Sequence, residues 1–397
     1  MAQHNIVITT ANQTTGIPVS NDGVMGLICK AVAVGSTFTL NNFYLLTKFD
    51  DLALLGITDA YDTTNSVAVY KQVKEFYDQA GDGAYLWIAG IAKATNFATF
   101  VATSTFTNMV KSTGNADPDN LIKVIGLAFD VPTLGQSSND FPVEVLNACH
   151  NLQTALESLE TSNYFIAGVV DGYNMSTTIT PSTLGTRTAD GNYKVCLIIT
   201  GTDTKRVSSI GQYLGKLARI DVGTSPGKVA DGALNATVTT QYLTNQTDIN
   251  TLNQTDFDAL GSKQYVFAMK LMGYSGYYYN DGATCELGTK SLSTIEANRI
   301  INKFAQDTYT FLIQYRESTL PVDTKGNLDS GWCATVAGLF YAQYVAPSIS
   351  SGTLTAATLS LSGVNFNATR TITYILSLQK GNTYITANAT IQFVNSL

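Results

Sequence analysis

A cysteine next to a histidine is the most reactive-looking pair in this sequence of 397 residues. A thiol beside an imidazole can act as a nucleophile with its general base. Cys149 and His150 fall within a predicted helix at about 141–160, where neighbouring side chains point about 100° apart. Cys149 shares the apolar face of that helix with Leu152 and Leu156. We therefore interpret Cys149 as a core residue and not as a nucleophile.

Two glycine-containing segments resemble a phosphate-binding loop without satisfying its pattern. Gly211–Lys216 is one residue too short, and Leu217 stands where a Ser or Thr must reach magnesium. Gly223–Lys228 fails in the same way. No GxGxxG sequence opens a helix after a predicted strand. The sequence therefore predicts no nucleotide or other cofactor.

The remaining candidates for chemistry are isolated acids, cysteines and tyrosines. Asp50, Asp51 and Asp281 lack partners that would identify an acid–base pair, so we interpret them as solvated turn carboxylates. The five cysteines are far apart and show no metal-ligand spacing. Tyr277–Tyr279 could stack a ligand, but tyrosine packs equally well at a core edge or an interface. We therefore predict no catalytic site, no metal site and no enzyme.

The composition indicates a protein that is covered by other protein. Hydrophobic residues make up 45% of the chain, which is ample for a core, whereas charged residues make up only 13%. This charged share is about half of that in ordinary globular domains. Such a surface suits a protein that is largely covered by copies of itself. The net charge of −7 argues against a partner made of nucleic acid, because such binders carry a basic face.

The sequence also bounds the compartment. The start of the chain has no basic region followed by an apolar one, so we expect no export by a signal peptide. No window reaches the ~18 apolar residues of a membrane span, so we expect no membrane insertion. An odd number of scattered cysteines fits free thiols in a reducing cytoplasm.

Strands and helices alternate through the first two thirds of the chain. Continuous apolar runs predict buried strands, and apolar residues at helical spacing follow each of them. Alternation of this kind predicts an α/β fold with a mostly parallel sheet. The predicted strands are 43–47, 84–89, 122–127, 164–170 and 193–199, and the predicted helices are about 49–56, 65–80, 97–111, 141–160 and 207–219.

The last third differs from this pattern and makes the chain α+β overall. A strand at 264–270 leads to an aromatic stretch, helices follow at about 293–317 and 330–345, and strands follow from 359 onwards. We predict four parts. They are an N-terminal arm (1–21), an α/β domain with outward loops (22–262), a C-terminal domain (263–380) and a C-terminal arm strand (381–397).

Short strand-like runs lie close to both ends of the chain. An uncovered strand edge is a template for another chain, and strand addition would link subunits through backbone hydrogen bonds. The alternative is that both runs pair within one subunit as an ordinary sheet edge. The residues predicted to link subunits are Ile6, Val7, Ile8, Ile391, Phe393 and Val394.

The order and spacing of several segments resemble the contractile tail sheath proteins of phages, R-type bacteriocins and injection systems. The segments are Leu46–Gly56, Val69–Ile88, Gly211–Gly227, Gly276–Asp281 and Asn298–Lys303. Each segment is degenerate alone, and together they cover most of the chain. The segments Gly276–Asp281 and Asn298–Lys303 resemble the C-terminal part of a divergent subfamily. The Asn- and Thr-rich loops depart from the family, so its outer surface is not carried over to this chain.

The resemblance implies a structural subunit. Sheath subunits polymerise helically around an inner tube, store energy in an extended metastable state and contract to drive the tube through a target envelope. Their terminal arms add strands to the sheets of neighbouring subunits. The implied partners are other copies of the chain, an inner tail tube protein, and baseplate and tail terminator proteins. The implied location is a virion tail or an assembled injection particle.

Two cations on the predicted long helix are candidates for contact with the tube. Arg299 and Lys303 are four residues apart and share a face, and related sheaths bring a C-terminal-domain helix towards the tube. The alternative is a solvated face with local pairs, such as Glu296 with Arg299.

Two other classes of function compete with this interpretation. A non-contractile polymer, such as a tail tube or surface-layer protein, would also be covered by its own copies. A tube subunit would be shorter and mostly β, and a surface-layer protein would need a secretion signal. A glycan hydrolase would need paired carboxylates in a cleft.

Overall fold

The computed structural model describes residues 22–130, 140–235, 237–315, 319–363, 366, 371–380 and 383–392. The strands are β1 Met25–Ala31, β2 Phe43–Leu46, β3 Leu86–Ala92, β4 Val124–Ala128, β5 Ala167–Asp171, β6 Val195–Ile198, β7 Thr200–Gly201, β8 Tyr242–Leu243, β9 Ala268–Met269, β10 Tyr278–Tyr279, β11 Ala356–Ser362, β12 Thr371–Lys380 and β13 Thr383–Gln392.

The helices are α1 Asp51–Leu54, α2 Asp59–Asn65, α3 Val69–Ala80, α4 Phe97–Val101, α5 Ser104–Ala116, α6 Val143–Glu160, α7 Ile210–Arg219, α8 Gln254–Ser262, α9 Ile295–Ile313, α10 Ser330–Phe340 and α11 Ala346–Ser350. A π-helical turn, Tyr341–Val345, joins α10 to α11.

A six-stranded sheet forms the centre of the first part of the chain. Its strand order is β2-β3-β1-β4-β5-β6, and every neighbouring pair is parallel except β2 with β3. Every residue of β1, β4, β5 and β6 is buried, as expected for a parallel sheet covered on both faces. The predicted α/β fold with a mostly parallel sheet is confirmed.

Helices cover the two faces of this sheet. Gly126 of β4 lies against Ile210 and Leu214 of α7, while Gly168 of β5 lies against Leu152 of α6. Ile125, not Gly126, pairs with Gly168, and side chains alternate between faces along a strand. The helices α6 and α7 therefore lie on opposite faces, as in doubly wound sheets.

The central strand β1 is missing from the predicted strands. The reason is Lys30, a charged residue near its carboxyl end. The Lys30 side chain is buried, with its Nζ 3.1 Å from Glu144 Oε1 and 5.1 Å from the ring centre of Phe129. A buried cation needs such partners. The sequence does not reveal them, because Glu144 lies on α6.

The last three described strands form a second, antiparallel sheet. β12 pairs with both β11 and β13, so the strand order is β11-β12-β13. Its inner face packs with α9 and α10 in a separate hydrophobic core that includes Phe304, Phe340 and Leu376. The first core includes residues as late as Ile295, so the change of core occurs at the start of α9.

Two glycines allow α7 to approach α3 closely. A Cβ atom at Gly211 would lie 1.8 Å from the backbone oxygen of Gln72, and one at Gly215 would lie 2.5 Å from that of Phe76. The Gln72 side chain also accepts a hydrogen bond from Gly211 N at 2.7 Å and donates one to Ser208 O at 2.7 Å. Gln72 thereby caps the first turn of α7 from a neighbouring helix.

The change Gly211→Ala should destabilise the protein by at least about 2 kcal/mol, because the new methyl group overpacks a rigid backbone contact. Gly261→Ala is the matched control. Gly261 also lies in a helix, α8, but a Cβ atom there would meet nothing within 4 Å. The control should be neutral or stabilising by up to ~1 kcal/mol, since alanine favours helices. Chemical denaturation of both variants measures the difference, and equal values would contradict the packing role.

Candidate functional site

The residues that could do chemistry serve in packing and capping. Cys149 is buried in the first core, as predicted, whereas its neighbour His150 is exposed. Lys216, the cation of the segment Gly211–Lys216, is buried and donates to the carbonyl of Gly232 at 3.1 Å. In the segment Gly223–Lys228, a Cβ atom at Gly227 would lie 2.5 Å from Asn280 O. The glycines of both segments therefore allow close backbone approach.

The candidate acids and tyrosines behave differently from one another. Asp51 accepts hydrogen bonds from the backbone N–H groups of Thr47 and Lys48, as a turn carboxylate does. The expectation of a solvated carboxylate is wrong for Asp281, which is half-buried. Burial raises the pKa of Asp281 to about 6. The tyrosines Tyr277–Tyr279 are buried in the core edge, one of the two places predicted for them.

Doubly wound sheets bind ligands beyond the carboxyl ends of their strands, where the strand order reverses. Here that position is filled by the Lys30–Glu144 ion pair, whose carboxylate also accepts a hydrogen bond from Phe97 N at 2.7 Å.

Among the described residues, no group of three or more His, Cys, Asp or Glu could hold a metal ion. The described helices include none that is both long and apolar enough to cross a membrane.

The antiparallel sheet offers a surface for assembly. Alternate residues of β12, including Ile372, Leu376 and Leu378, are buried, whereas Ile375 on the opposite face is exposed. β13 pairs with β12 over ten residues, from Thr371↔Gln392 to Lys380↔Thr383. No described strand pairs with the far side of β13 or of β11. Each of these edges therefore has backbone groups without a strand partner.

Most of the residues predicted to link subunits lie outside the described part of the chain. Ile6, Val7, Ile8, Phe393 and Val394 fall there. Ile391 lies within β13 and pairs with Ile372 of β12. Residues 383–392 of the predicted C-terminal arm are therefore the outer strand of the chain's own sheet, which is the alternative that the sequence left open. Strand exchange between subunits stays a prediction.

The two cations predicted to contact a tube lie in a partly buried ionic cluster. Arg299 is 4% exposed, and its Nη2 lies 3.4 Å from Asp22 O and 3.5 Å from Ile220 O. Burial lowers the pKa of Arg299 to about 10, against the opposing effect of Asp22. Its Nε and Nη1 have no hydrogen-bond partner among the described residues. The guanidinium is therefore desolvated and only weakly satisfied.

Lys303 lies one helical turn further along α9, in the same cluster. Its Nζ is 2.8 Å from Asp22 Oδ2 and 3.6 Å from Asp307 Oδ2, so the first contact is a hydrogen-bonded ion pair and the second is longer. Burial lowers the pKa of Lys303, but the Asp307 and Asp22 carboxylates outweigh it, and the pKa is raised overall. Burial also raises the pKa of Asp307, to about 6.

Neither cation lies on a freely solvated face of the helix. Arg299 is buried, Lys303 is half-buried with 22% of its side chain exposed, and both contact Asp22 at the start of the described chain. The helix is buried on several sides because it packs against both hydrophobic cores. Contact with a tube protein stays a prediction, but both charges already have partners inside the subunit.

A family model matches most of this chain. The model is DUF2586, N-terminal domain, and it matches residues 3–283. The chain belongs to the DUF2586 family. The matched range includes the whole parallel sheet and ends before α9. No curated protein sequence matches this DUF2586 chain.

Solved structures share the fold of this DUF2586 protein over nearly its whole length. A chain of the anti-feeding prophage baseplate has 11% identity and a TM-score of 0.58, and the match covers 100% of this chain and 97% of that one. A chain of the contracted helical sheath of the same prophage has 10% identity and a TM-score of 0.57, with 94% and 90% covered.

A sheath tail protein from Listeria innocua is also similar, with 10% identity, a TM-score of 0.55, and 94% and 96% of the two chains covered. The DUF2586 protein therefore has the fold of sheath proteins, and the resemblance predicted from its segments is confirmed at the level of the fold.

The cluster on α9 makes stability depend on pH. Between about pH 4 and pH 6 the Asp307 carboxyl is protonated when folded and ionised when unfolded, so this group should lower stability as the pH rises through that window. The shift corresponds to about 3 kcal/mol. Asp307→Asn should remove this decline. The free energy of unfolding of the variant should therefore rise relative to that of the wild type between pH 4 and pH 7. Denaturation curves that run parallel over this range would contradict the prediction.

Proposed function

We propose that this protein is a structural subunit of a contractile sheath and not an enzyme. The observation that carries the proposal is the similarity of the whole fold to chains of a contracted helical sheath and of sheath tail proteins. The subunit would polymerise helically around an inner tube, in an extended metastable state. Contraction would then drive the tube through a target envelope.

A long stretch without charged residues supports assembly into a polymer. Residues 330–369 contain no Asp, Glu, Lys or Arg, although they include α10, α11 and the edge strand β11. Leu339 and Tyr341 are exposed within this charge-free stretch. A free soluble protein ordinarily carries interspersed charges on such a surface. Contact with other subunits would remove these residues from water.

Assembly through open sheet edges fits the same surface. A strand that adds to β11 or β13 forms backbone hydrogen bonds whatever its side chains. A head-to-tail contact of this kind generates a helical filament when it does not close into a ring. We propose that residues 1–21 supply an added strand and that the open side of β13 accepts one. Ile6, Val7, Ile8, Ile391, Phe393 and Val394 would be among the contacts.

The proposed division of the molecule follows from these roles. Residues 1–21 would be one linking arm. The predicted arm 381–397 would link subunits through the open side of β13, whose other side belongs to the sheet of the body. The hydrophobic cores divide at α9, later than the predicted boundary at 262/263. We propose an inner tube protein, a baseplate and a tail terminator as further partners, in a virion tail or an injection particle.

Electron microscopy of the purified protein tests the proposed function. Hollow cylinders or helical filaments of the protein alone are the expected result, and addition of a candidate inner tube protein should give tube-filled cylinders. Single-walled tubes that never change length would favour a non-contractile polymer. A monomer that releases sugar fragments from cell-wall glycan would favour a hydrolase.

Proline substitutions on β13 test the open edge. Successive backbone N–H groups of an edge strand point alternately to its partner strand and away from it. Of the neighbouring variants Asn388→Pro and Ala389→Pro, one should therefore lose a hydrogen bond to β12 and lower the Tm, and the other should leave the Tm close to wild type. If β13 accepts a strand from another subunit, the variant with the unchanged Tm should still fail to polymerise.

Sedimentation and thermal unfolding of the two variants give the answer. The destabilised variant is the internal control for damage to the subunit's own sheet. Normal polymers from the variant with the unchanged Tm would show that the far side of β13 does not link subunits.

A further inference from the structure

The contacts of Asp22 fix the place where residues 1–21 join the body. The Asp22 carboxylate is bound by Lys303 at 2.8 Å, and its carbonyl faces Arg299 at 3.4 Å. Two residues later, Val24 is buried and its carbonyl accepts a hydrogen bond from Lys123 N at 3.0 Å. These contacts hold the chain in place where it leaves the body, so the exit point is not an exposed loop.

A groove surrounds this position. It has a volume of about 440 Å³ and lies between the end of α7, α9 and the end of α11. Its lining residues include Asp22, Lys303, Asp221, Ser348 and Thr353. The cations of α9 thus hold Asp22 at the wall of a groove that elements from both halves of the molecule form.

We propose that Lys303 and Arg299 clamp the root of the N-terminal segment onto α9 and thereby set where that segment can reach another subunit. Both are positioning residues in this role. The proposal rests on the proposed function in one respect, namely that residues 1–21 link copies of the chain.

The clamp has a mechanical consequence. The sheet with open edges packs against α9 through the second core, which includes Phe304 of α9 and Leu376 of β12. A pull on the N-terminal segment would pass from Asp22 to Lys303 and Arg299, and through α9 to that sheet. The element that would reach a neighbour and the sheet that would receive a neighbour's strand are therefore fixed to the same helix. The same pull also passes along the backbone from Asp22 into β1, which begins at Met25, so α9 shares this load with the parallel sheet.

Hydrogen–deuterium exchange of the full chain tests the clamp. Lys303→Met removes the ammonium group and keeps the buried stem, and Asp22→Asn removes the facing charge. Each should speed exchange of the amides at 22–25 by about tenfold, the effect of losing one charge-assisted hydrogen bond, with the rest of β1 unchanged. The double variant should exchange no faster than the single ones, because both remove the same contact.

Lys74→Met is the matched control. It removes the ion pair of Lys74 with Asp78 on α3, which has the same i, i+4 spacing as Lys303 with Asp307 and does not involve Asp22. Exchange at 22–25 should not change in this variant. If Lys303→Met does not fold, Asp22→Asn alone decides, since Asp22 lies at the edge of the body and Lys303 retains Asp307. Exchange within twofold of wild type in Asp22→Asn, or additive effects in the double variant, would overturn the clamp.

Polymerisation separates the clamp from the proposed function. A wild-type chain that forms no polymer under any condition would count against the sheath role, while the exchange result would still decide the clamp. If the wild type polymerises, the polymers of Asp22→Asn should be shorter or should dissociate at a lower salt concentration. Identical polymers, despite faster exchange at 22–25, would show that the clamp does not serve linkage.

Discussion

The burial of α9 between two hydrophobic cores is the constraint on which the rest of the molecule depends. Ile295 belongs to the first core, whereas Ile300 and Phe304 belong to the second. Buried polar groups of a helix in this position need partners from neighbouring elements. Asn298 donates to the carbonyl of Tyr193 at 2.6 Å, in the part of the chain that forms the first core, whereas Nε and Nη1 of Arg299 find no hydrogen-bond partner among the described residues. Sliding one core past the other would break such contacts, so α9 holds the two cores together.

This constraint separates two tasks that a sheath subunit would have to perform. Contacts that change during contraction need weak, replaceable interactions, and a charge-free surface with open strand edges offers them without desolvating ions. The body must stay rigid while those contacts change. Buried ion pairs resist separation, because pulling one partner away leaves the other charged and desolvated. The distribution of charge follows this division, with ionic contacts inside around α9 and none of the four charged residue types in 330–369.

The sequence predicts well those parts of the fold whose signal is local. Continuous apolar runs identify β3, β4, β5 and β6, since a strand buried on both faces has no polar side to interrupt the run. It fails where a residue's partner is distant. The central strand β1 is missed because it contains the charged residue Lys30, whose partner Glu144 lies on a different element. Arg299 and Lys303 have the i, i+4 spacing of a solvated face, and only the structure shows their contact with Asp22, which lies 277 residues before Arg299. The linking residues of the predicted arms mostly fall outside the described part of the chain.

The terminal strand shows how two interpretations that compete in the sequence can hold together in the structure. Its alternating residues are typical of both an ordinary edge strand and an arm that joins another subunit. β13 has two sides, and only one of them is used by β12. Pairing within the subunit orders the strand, so a neighbour's strand would add to it without the full entropy cost of ordering both partners. An arm held on its own sheet is in this respect a better acceptor than a free arm. The competition between intrachain pairing and linkage therefore becomes a question of which side of one strand is occupied.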